Sequence, residues 1–234
     1  MDWKHNFPKE NRYFETTNGI LYCGDCINIL PLFLSTSIDL VITDPPYGVL
    51  DINWDQISLI PFTIKWWVNL QRIKKENSSF YIFWSQKYLK EGLGLFNPDR
   101  VLIWHHPNLA IPTSKMFLWT YDPIFYIIYG KPIFNAVFTN SENVDVLKYA
   151  KPQRNYKKDK RFHPTQKPLE LIKLFVKLSS NEDSIILDPF VGSGTTALAS
   201  ELLHRKWIAI EINEEYCQIV KERLLNIESQ GELF

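Results

Sequence analysis

Short apolar runs alternate with longer amphipathic stretches along the chain. Seven runs rich in branched and aromatic residues predict β-strands at 20–23, 38–43, 79–84, 100–104, 123–129, 184–188 and 206–210. Apolar positions at helical spacing predict helices at about 26–34, 61–75, 86–92, 168–180, 195–204 and 213–226. This alternation is typical of an α/β domain with a mostly parallel sheet, and such domains place their active sites at the carboxyl ends of the strands.

Two stretches lack a clear hydrophobic period. Residues 1–19 are polar and mixed, and we expect them to form an N-terminal arm. Residues 130–162 combine Asn, Lys, Pro and aromatic residues with little periodicity.

The composition is that of an ordinary globular domain. Of 234 residues, 45% are hydrophobic and 22% charged, which predicts a single domain over 1–234. The chain has no apolar stretch of about eighteen residues and no signal pattern at its N-terminus, so we expect a cytoplasmic protein with no membrane partner. Cys23 and Cys26 lack the second ligand pair that a zinc site needs, and we predict no metal.

Charge is distributed unevenly. The formal net charge is zero, which removes overall basicity as an argument for a nucleic-acid partner. Residues 148–167, however, carry eight Lys or Arg residues against Asp159 alone. Such a segment suits several phosphate contacts if it faces a duplex, although a solvated loop has the same composition. The candidate DNA contacts are Lys151, Arg154, Lys157, Lys158, Lys160 and Arg161.

The strand predicted at 38–43 ends in a tetrapeptide suited to holding an amine, Asp44-Pro45-Pro46-Tyr47. Proline has no N–H to donate, so the loop presents the Asp44 carboxylate and the Pro45 carbonyl without a competing backbone donor. Two acceptors that hold the hydrogens of a base amine favour the pyramidal nitrogen that attacks an electrophile. Tyr47 adds a face for base stacking. The plainer interpretation is a turn that only ends a strand.

A glycine loop follows the sixth predicted strand, within Asp188-Pro-Phe-Val-Gly-Ser-Gly-Thr-Thr196. Gly192 and Gly194 let the backbone approach a ligand, and Ala197 completes a G-x-G-x-x-A spacing. No Lys follows Gly194, which excludes a Walker A loop. The next strand ends at Glu211, placed to accept hydrogen bonds from two ribose hydroxyls. Taken alone, these residues also fit NAD.

Two further segments carry candidate residues. His163-Pro-Thr-Gln-Lys-Pro168 opens a predicted helix, with Pro168 suited to its first turn. Leu21-Tyr-Cys-Gly-Asp-Cys26 ends a predicted strand, where Asp25 could serve only as a helix cap.

Together these motifs resemble the β group of amino DNA methyltransferases, which use S-adenosylmethionine and in which the catalytic motif precedes the cofactor motif. Residues 44–47, 163–168 and 188–196 match the family's motifs IV, X and I in that order, without a gap. The resemblance runs from about residue 20 to about residue 224. It implies a Rossmann-like class I methyltransferase fold, with a mostly parallel seven-stranded sheet, one reversed strand and a circularly permuted motif order.

The resemblance also implies roles for these residues. Asp44 and the Pro45 carbonyl orient the target amine, Pro46 lies in the same catalytic turn, and Tyr47 stacks on the extruded base. Asp25 accepts the adenine amine of the cofactor and Glu211 its ribose hydroxyls. The implied cofactor-binding set is Asp25, Cys26, Asp44, His163, Thr165, Lys167, Asp188, Phe190, Gly192, Ser193, Gly194, Thr195, Glu211 and Ile212.

Within that set, the amino-acid part of the cofactor has its own ligands. The resemblance makes Thr165 and Lys167 ligands of its carboxylate, while Asp188 faces its ammonium group. Phe190 lies against the methionine part or the adenine. Trp84 and Ser85 are candidates for the pocket wall, and the family's usual Trp, Lys and Asn are replaced in part around His105-His106-Pro107.

The implied activity is site-specific methyl transfer from S-adenosylmethionine to N6 of a flipped adenine in double-stranded DNA. Asp at position 44 is associated with adenine and Ser with cytosine-N4 in this family, so a cytosine-N4 enzyme is the alternative. An NAD oxidoreductase would leave residues 44–47 and 163–168 unexplained. A non-catalytic DNA-binding subunit with a relic pocket would leave its intact acceptors and glycines unexplained.

The resemblance also indicates partners. Residues 130–162 correspond to the family's target-recognition insert, which is short here. We therefore expect help in covering the DNA from another loop or from a homodimer. Restriction–modification, with a separately acting cognate restriction endonuclease, is the expected biological setting.

Overall fold

A nine-stranded sheet forms the centre of the protein in a computed structural model that describes residues 3–47, 59–107, 117–136, 143–152 and 166–230. Its spatial order is β1-β2-β9-β8-β3-β4-β6-β5-β7. The strands are β1 (Arg12–Glu15), β2 (Gly19–Cys23), β3 (Ile38–Thr43), β4 (Lys74–Phe83), β5 (Arg100–His105), β6 (Tyr121–Tyr129), β7 (Val146–Lys148), β8 (Ile185–Asp188) and β9 (Lys206–Glu211).

Six helices accompany the sheet in the described ranges. They are α1 (Cys26–Ile29), α2 (Leu59–Ile73), α3 (Leu89–Phe96), α4 (Leu169–Ser179), α5 (Thr195–Leu202) and α6 (Glu214–Gln230). Short 3-10 turns occur at Trp3–Asn6, Leu30–Leu32 and Gln86–Tyr88.

The central strands run in one direction. β2, β9, β8, β3 and β4 are successively parallel, while β6 is antiparallel to both β4 and β5. The carboxyl ends of the five parallel strands and of β5, together with the amino end of β6, therefore share one edge of the sheet. This is the mixed, mostly parallel α/β sheet predicted from the sequence.

The predicted strand count was too low. All seven predicted strands are present, and β6 is the reversed one among them, but β1 and β7 add two more. The helix predicted over 61–75 also extends too far, because β4 begins at Lys74. The polar run Lys-Lys-Glu-Asn-Ser-Ser at its start has no apolar alternation, so tertiary pairing with β3 and β6 decides its conformation.

Alternating strand residues bury two faces of the sheet. In β3, Val41 packs in the cluster that holds Trp66 of α2, while Leu40 and Ile42 pack with Phe175 of α4. A continuously apolar strand is expected when helices cover both faces. The fold is thus a layer of α1–α3, the sheet, and a layer of α4–α6.

The N-terminal arm is fixed to the sheet. Arg12 donates from Nη2 to the Phe7 carbonyl at 2.9 Å, and the Tyr22 hydroxyl donates to the Pro8 carbonyl at 2.7 Å. Buried Glu201 accepts hydrogen bonds from the hydroxyl of Thr16 at 2.7 Å and from Asn18 Nδ2 at 2.9 Å. These bonds fix the predicted arm to the sheet, and its residues Arg12–Glu15 form β1, a strand that the sequence pattern did not predict.

None of the described helices is both long enough and apolar enough to cross a bilayer.

Candidate functional site

A cavity of about 560 Å³ opens where the carboxyl ends of β2, β3, β4, β8 and β9 meet. Most of the residues singled out from the sequence line it, although they come from distant parts of the chain. These are Asp25, Cys26, Asp44, Pro45, Pro46, Tyr47, Trp84, Ser85, Lys151, Lys167, Asp188, Phe190, Gly192, Ser193, Thr195, Glu211 and Ile212.

Gly194, the N-cap residue of α5, is not among the residues that line this cavity. His163, Thr165, Arg154, Lys157, Lys158, Lys160 and Arg161 lie outside the described residues.

Asp44 follows directly after β3 and has both carboxylate oxygens engaged. The Tyr47 hydroxyl donates to Oδ1, and the Lys167 ammonium forms an ion pair with Oδ2. The side chain of Asp44 is 18% exposed and that of Lys167 is 12% exposed, so solvent screens their interaction only in part. Among the described residues, the side chains of Tyr47 and Lys167 thus contact the Asp44 carboxylate.

Aromatic rings surround this carboxylate. The ring centroids of Tyr47 and Trp84 lie 5.3 Å apart in an edge-to-face arrangement. Phe83, Trp104 and Trp119 line the same part of the cavity. A planar base would find stacking faces beside an acceptor there.

The glycine loop forms the opposite part of the cavity. Gly192 and Gly194 have φ values of 53° and 86°, in the region that glycine adopts without a Cβ penalty. An added Cβ at Gly194 would lie 2.9 Å from Val220 of α6, so the loop also needs glycine for packing. The backbone can therefore approach a ligand closely at this turn.

Asp188 is a buried carboxyl at the base of the loop. Its oxygens accept hydrogen bonds from the Thr196 hydroxyl at 2.7 Å and from the Phe190 N–H at 3.1 Å. Burial raises the pKa of Asp188 to about 7, and the nearby charge of Asp44 adds to the rise. Its charge therefore changes near neutral pH.

Glu211, at the end of β9, holds two loops together. Its Oε2 accepts from Gly192 N–H and its Oε1 from Asn213 N–H, both at 2.9 Å. Burial raises the pKa of Glu211. Each carboxylate oxygen has a further lone pair, so hydroxyl groups of a ligand could still be accepted there.

Asp25 is the cap of α1, as the plainer interpretation held. Its Oδ1 accepts from Ile27 N–H at 2.9 Å. Its position on the cavity wall beside Gly24, whose N–H donates to the Glu211 carbonyl at 2.8 Å, is compatible with ligand binding by the other oxygen. Burial raises the pKa of the neighbouring Cys26 thiol, so this cysteine is inert in the neutral form.

Asp122 lines the same cavity and was not among the residues predicted from the sequence. Asp122 is the second residue of the reversed strand β6, and its Oδ2 lies 3.4 Å from Lys151 Nζ and 3.6 Å from His106 Nε2. The Lys151 ammonium lies 5.5 Å from the centroid of the Trp104 ring. Because β6 is reversed, its amino end brings Asp122 to the edge of the sheet where the cavity opens. The local sequence around Asp122 does not indicate the direction of this strand.

In the described part of the chain, no group of three or more His, Cys, Asp or Glu side chains is arranged to hold a metal ion.

The cavity thus combines a carboxylate among aromatic rings with a glycine loop and a strand-end glutamate. The part with the glycine loop and Glu211 is typical of sites that bind a nucleoside-containing cofactor at the carboxyl edge of an α/β sheet. The part with Asp44 and the aromatic rings suits a planar amine. Both halves open into one volume, so two ligands could meet there.

Comparison with known proteins identifies the family to which this chain belongs. A family model described as DNA methylase matches residues 38–222. The type II methyltransferase M.HpaI of Haemophilus parainfluenzae is 32% identical over 87% of this chain and 73% of its own length. The DNA adenine methyltransferase YhdJ of Escherichia coli K12 is 28% identical, over 86% of this chain and 81% of its own.

Solved structures share the fold. The PvuII DNA methyltransferase, described as cytosine-N4-specific, superposes with a TM-score of 0.76 at 18% identity, over 92% of this chain and 89% of its own.

The chain belongs to the DNA methylase family of N6 and N4 amino methyltransferases. This confirms the class I methyltransferase fold, the enzyme class and S-adenosylmethionine as the cofactor that the sequence predicted. The glycine turn, the paired loop N–H groups on Glu211 and the buried Asp188 form a site whose donors and acceptors fit that cofactor.

Proposed function

We propose that this protein methylates N6 of adenine in double-stranded DNA, at a specific site. The observation that carries the proposal is that Asp44, Glu211 and the glycine loop all line the same cavity. Methyl transfer needs such a meeting point, because the base amine and the methyl group must reach contact distance together.

The cofactor half would hold S-adenosylmethionine from three sides. Glu211 takes the ribose hydroxyls, Asp25 the adenine amine, and Asp188 the ammonium group, with Phe190 packed against the ligand. The loop around Gly192 allows close backbone approach. Once bound, S-adenosylmethionine supplies an electrophilic methyl group on sulfur, and the thioether keeps the electron pair of the broken C–S bond.

The other half would hold the extruded base. Asp44 and the Pro45 carbonyl accept the two amine hydrogens, which directs the nitrogen lone pair out of the ring plane. Tyr47 stacks on the base, and stacking of about 1–3 kcal/mol offsets part of the few kcal/mol needed for extrusion. The surplus proton leaves to Asp44 or to water.

Adenine is favoured over cytosine by Asp44, because the family associates Ser at this position with cytosine-N4. The name of the E. coli relative, a DNA adenine methyltransferase, supports the same choice. The likeness to the cytosine-N4-specific PvuII enzyme, at 18% identity, concerns the fold. Cytosine-N4 methylation is the alternative, and within the sequence only the residue at position 44 distinguishes it from adenine methylation.

The wider assignment follows from the family. We propose one catalytic domain over 1–234, with a circularly permuted motif order and residues 130–162 as the target-recognition insert. Lys151 and the basic residues at 154–161 would contact DNA phosphates. A homodimer, a separately acting cognate restriction endonuclease and a cytoplasmic location complete the proposal.

The test compares wild-type protein with Asp44→Ala. Unmethylated genomic DNA is treated with each protein and S-adenosylmethionine, then digested to nucleosides that are resolved by mass spectrometry. We expect N6-methyldeoxyadenosine from the wild type and a turnover lower by on the order of 10²–10⁴ for Asp44→Ala. Cofactor affinity, measured by calorimetry, should change less than about twofold, because the cofactor is held mainly from Glu211, Asp25 and the glycine loop.

Asp183→Ala is the matched control, since Asp183 is an exposed acid whose Lys206 partner lies away from the cavity. It should retain parental activity. N4-methyldeoxycytidine as the product would select the alternative, and an Asp44→Ala variant with more than half the parental turnover would exclude Asp44 from the chemistry.

A further inference from the structure

We infer that Lys167 is a positioning residue that acts through Asp44, rather than a ligand of the cofactor carboxylate. The inference rests on the proposed function, and it replaces the role that the family resemblance implied for this lysine.

The surroundings of the Lys167 ammonium belong to the base half of the cavity. It pairs with Asp44 Oδ2, and it lies 5.0 Å from the centroid of the Phe83 ring and 5.9 Å from that of Trp104. Aromatic faces attract a cation at these distances. The ammonium is thus held between the catalytic tetrapeptide and the walls against which a base would pack.

Two separate elements, β3 and α4, hold Asp44 and Lys167 next to each other. Asp44 follows β3, and Lys167 immediately precedes Pro168, the cap residue of α4. β3 and α4 pack in one buried cluster, where Leu40 and Ile42 meet side chains of α4. A contact between segments more than a hundred residues apart in sequence is therefore fixed by the core.

The pair leaves Asp44 able to receive the substrate. Tyr47 and Lys167 donate to different carboxylate oxygens, which fixes the rotation of the group about its Cβ–Cγ bond. Each oxygen keeps a second lone pair for an amine hydrogen. A carboxylate held in this way loses less freedom when the base arrives, which lowers the barrier to the reactive arrangement.

The first test is Lys167→Met, which removes the charge and keeps most of the apolar stem. The hydrogen-bond partners of metal ligands contribute about 10- to 100-fold to activity, and by analogy we expect kcat to fall by that amount. The KM for DNA and the calorimetric Kd for S-adenosylmethionine should each stay within about twofold, because neither ligand depends on Lys167 for its binding. Lys167→Arg should recover part of kcat, since a guanidinium also pairs with a carboxylate.

Lys173→Met is the control for charge removal. Lys173 lies on α4 and pairs with Glu170 at 3.1 Å, outside the residues that line the cavity. It should match the wild type in kcat and in both affinities.

A double variant isolates the route of action. If Lys167 works through Asp44, adding Lys167→Met to Asp44→Asn should not lower the residual rate further. Independent, multiplicative losses would overturn the inference. So would a Kd for S-adenosylmethionine raised about tenfold with kcat retained at saturating cofactor, which would restore Lys167 as a cofactor ligand.

Two outcomes remain distinct from these. Absence of methyl transfer by the wild type refutes the proposed function itself. If Lys167→Met does not fold, as judged by its thermal transition, Lys167→Gln and Lys167→Arg give the same comparison of kcat with cofactor affinity, and full activity of Lys167→Gln would overturn the inference.

Discussion

Three carboxyl groups at neighbouring strand ends have different surroundings. Asp44 faces an ammonium and a phenol, Glu211 faces two backbone N–H groups, and Asp188 is buried with a hydroxyl and one N–H. All three occupy equivalent positions at strand ends. Their roles therefore differ because their hydrogen-bond and ion-pair partners differ. Burial raises the pKa of Asp188 to about 7, close to physiological pH.

The raised pKa of Asp188 makes cofactor binding pH-dependent. In the free protein, burial raises this pKa to about 7, whereas a bound ammonium group favours the ionised carboxylate. Binding below pH 7 must therefore release a proton. We expect the Kd for S-adenosylmethionine to rise as the pH falls from 7 to 5.5, by at most about tenfold per pH unit, and to lose its dependence on Asp188 protonation well above pH 7.

Calorimetry in buffers of different ionisation enthalpy measures both the Kd and the released proton. Asp188→Asn, which cannot ionise, should weaken binding at pH 7.5 and abolish this part of the pH dependence. A wild-type Kd that stays flat between pH 5.5 and 7 would contradict contact between Asp188 and the ammonium group.

Most of the site was predictable because it lies directly after apolar strands. Asp44, Asp188 and Glu211 each end such a run, and parallel strands bring their ends together. Asp122, Trp104 and the pairing of Lys167 were not predictable, since they depend on the direction of β6 and on how α4 packs. Local sequence carries neither piece of information.

Among the elements, the start of α5 belongs to the glycine loop of the cavity and also packs against α6. Gly194 has φ 86°, and its missing Cβ makes room for Val220 of α6. Gly194→Ala should lower the free energy of unfolding by about 1–3 kcal/mol, because the backbone is strained and the two helices must separate. Urea unfolding with fluorescence detection measures this change.

Gly94 is the matched control. It lies inside α3, and an added Cβ there would meet no heavy atom within 4 Å. Gly94→Ala should raise the free energy of unfolding by about 0.5–1 kcal/mol, since alanine is the better helix former. Equal effects of the two substitutions would show that packing between α5 and α6 does not depend on Gly194.

Strand prediction succeeded where the strand was continuously apolar, even over the four residues of β8. β3 was predicted to the residue, whereas β1 and β7, four and three residues long, were missed. Such short edge strands are specified by pairing with neighbours and, for β1, by the buried hydrogen bonds of Glu201. A window of the sequence cannot register those long-range contacts.

At the scale of the whole molecule, a chain with zero net charge must bind a polyanion. We therefore expect the basic segment to act locally, although its residues 153–165 lie outside the described structure. Changing Lys157, Lys158 and Lys160 together to Ala should weaken binding to every duplex and reduce the log–log salt slope by up to about 0.9 per lost contact.

Titrations at several salt concentrations, with duplexes of different sequence, measure that slope. Base preference should persist in the triple variant, because phosphate contacts position a protein without specifying sequence. A parental slope and affinity would instead mean that the segment is solvated and that DNA follows another face.

The continuity of the cavity from Glu211 to the aromatic rings has a consequence for inhibitor chemistry. A compound that joins an adenosine to a purine amine through a short tether would place both ends without crossing a protein wall. Tethering makes the second contact intramolecular, at an effective concentration on the order of millimolar. Such a compound would distinguish this enzyme from the many proteins that bind adenosine alone, because its second half requires the pocket around Asp44.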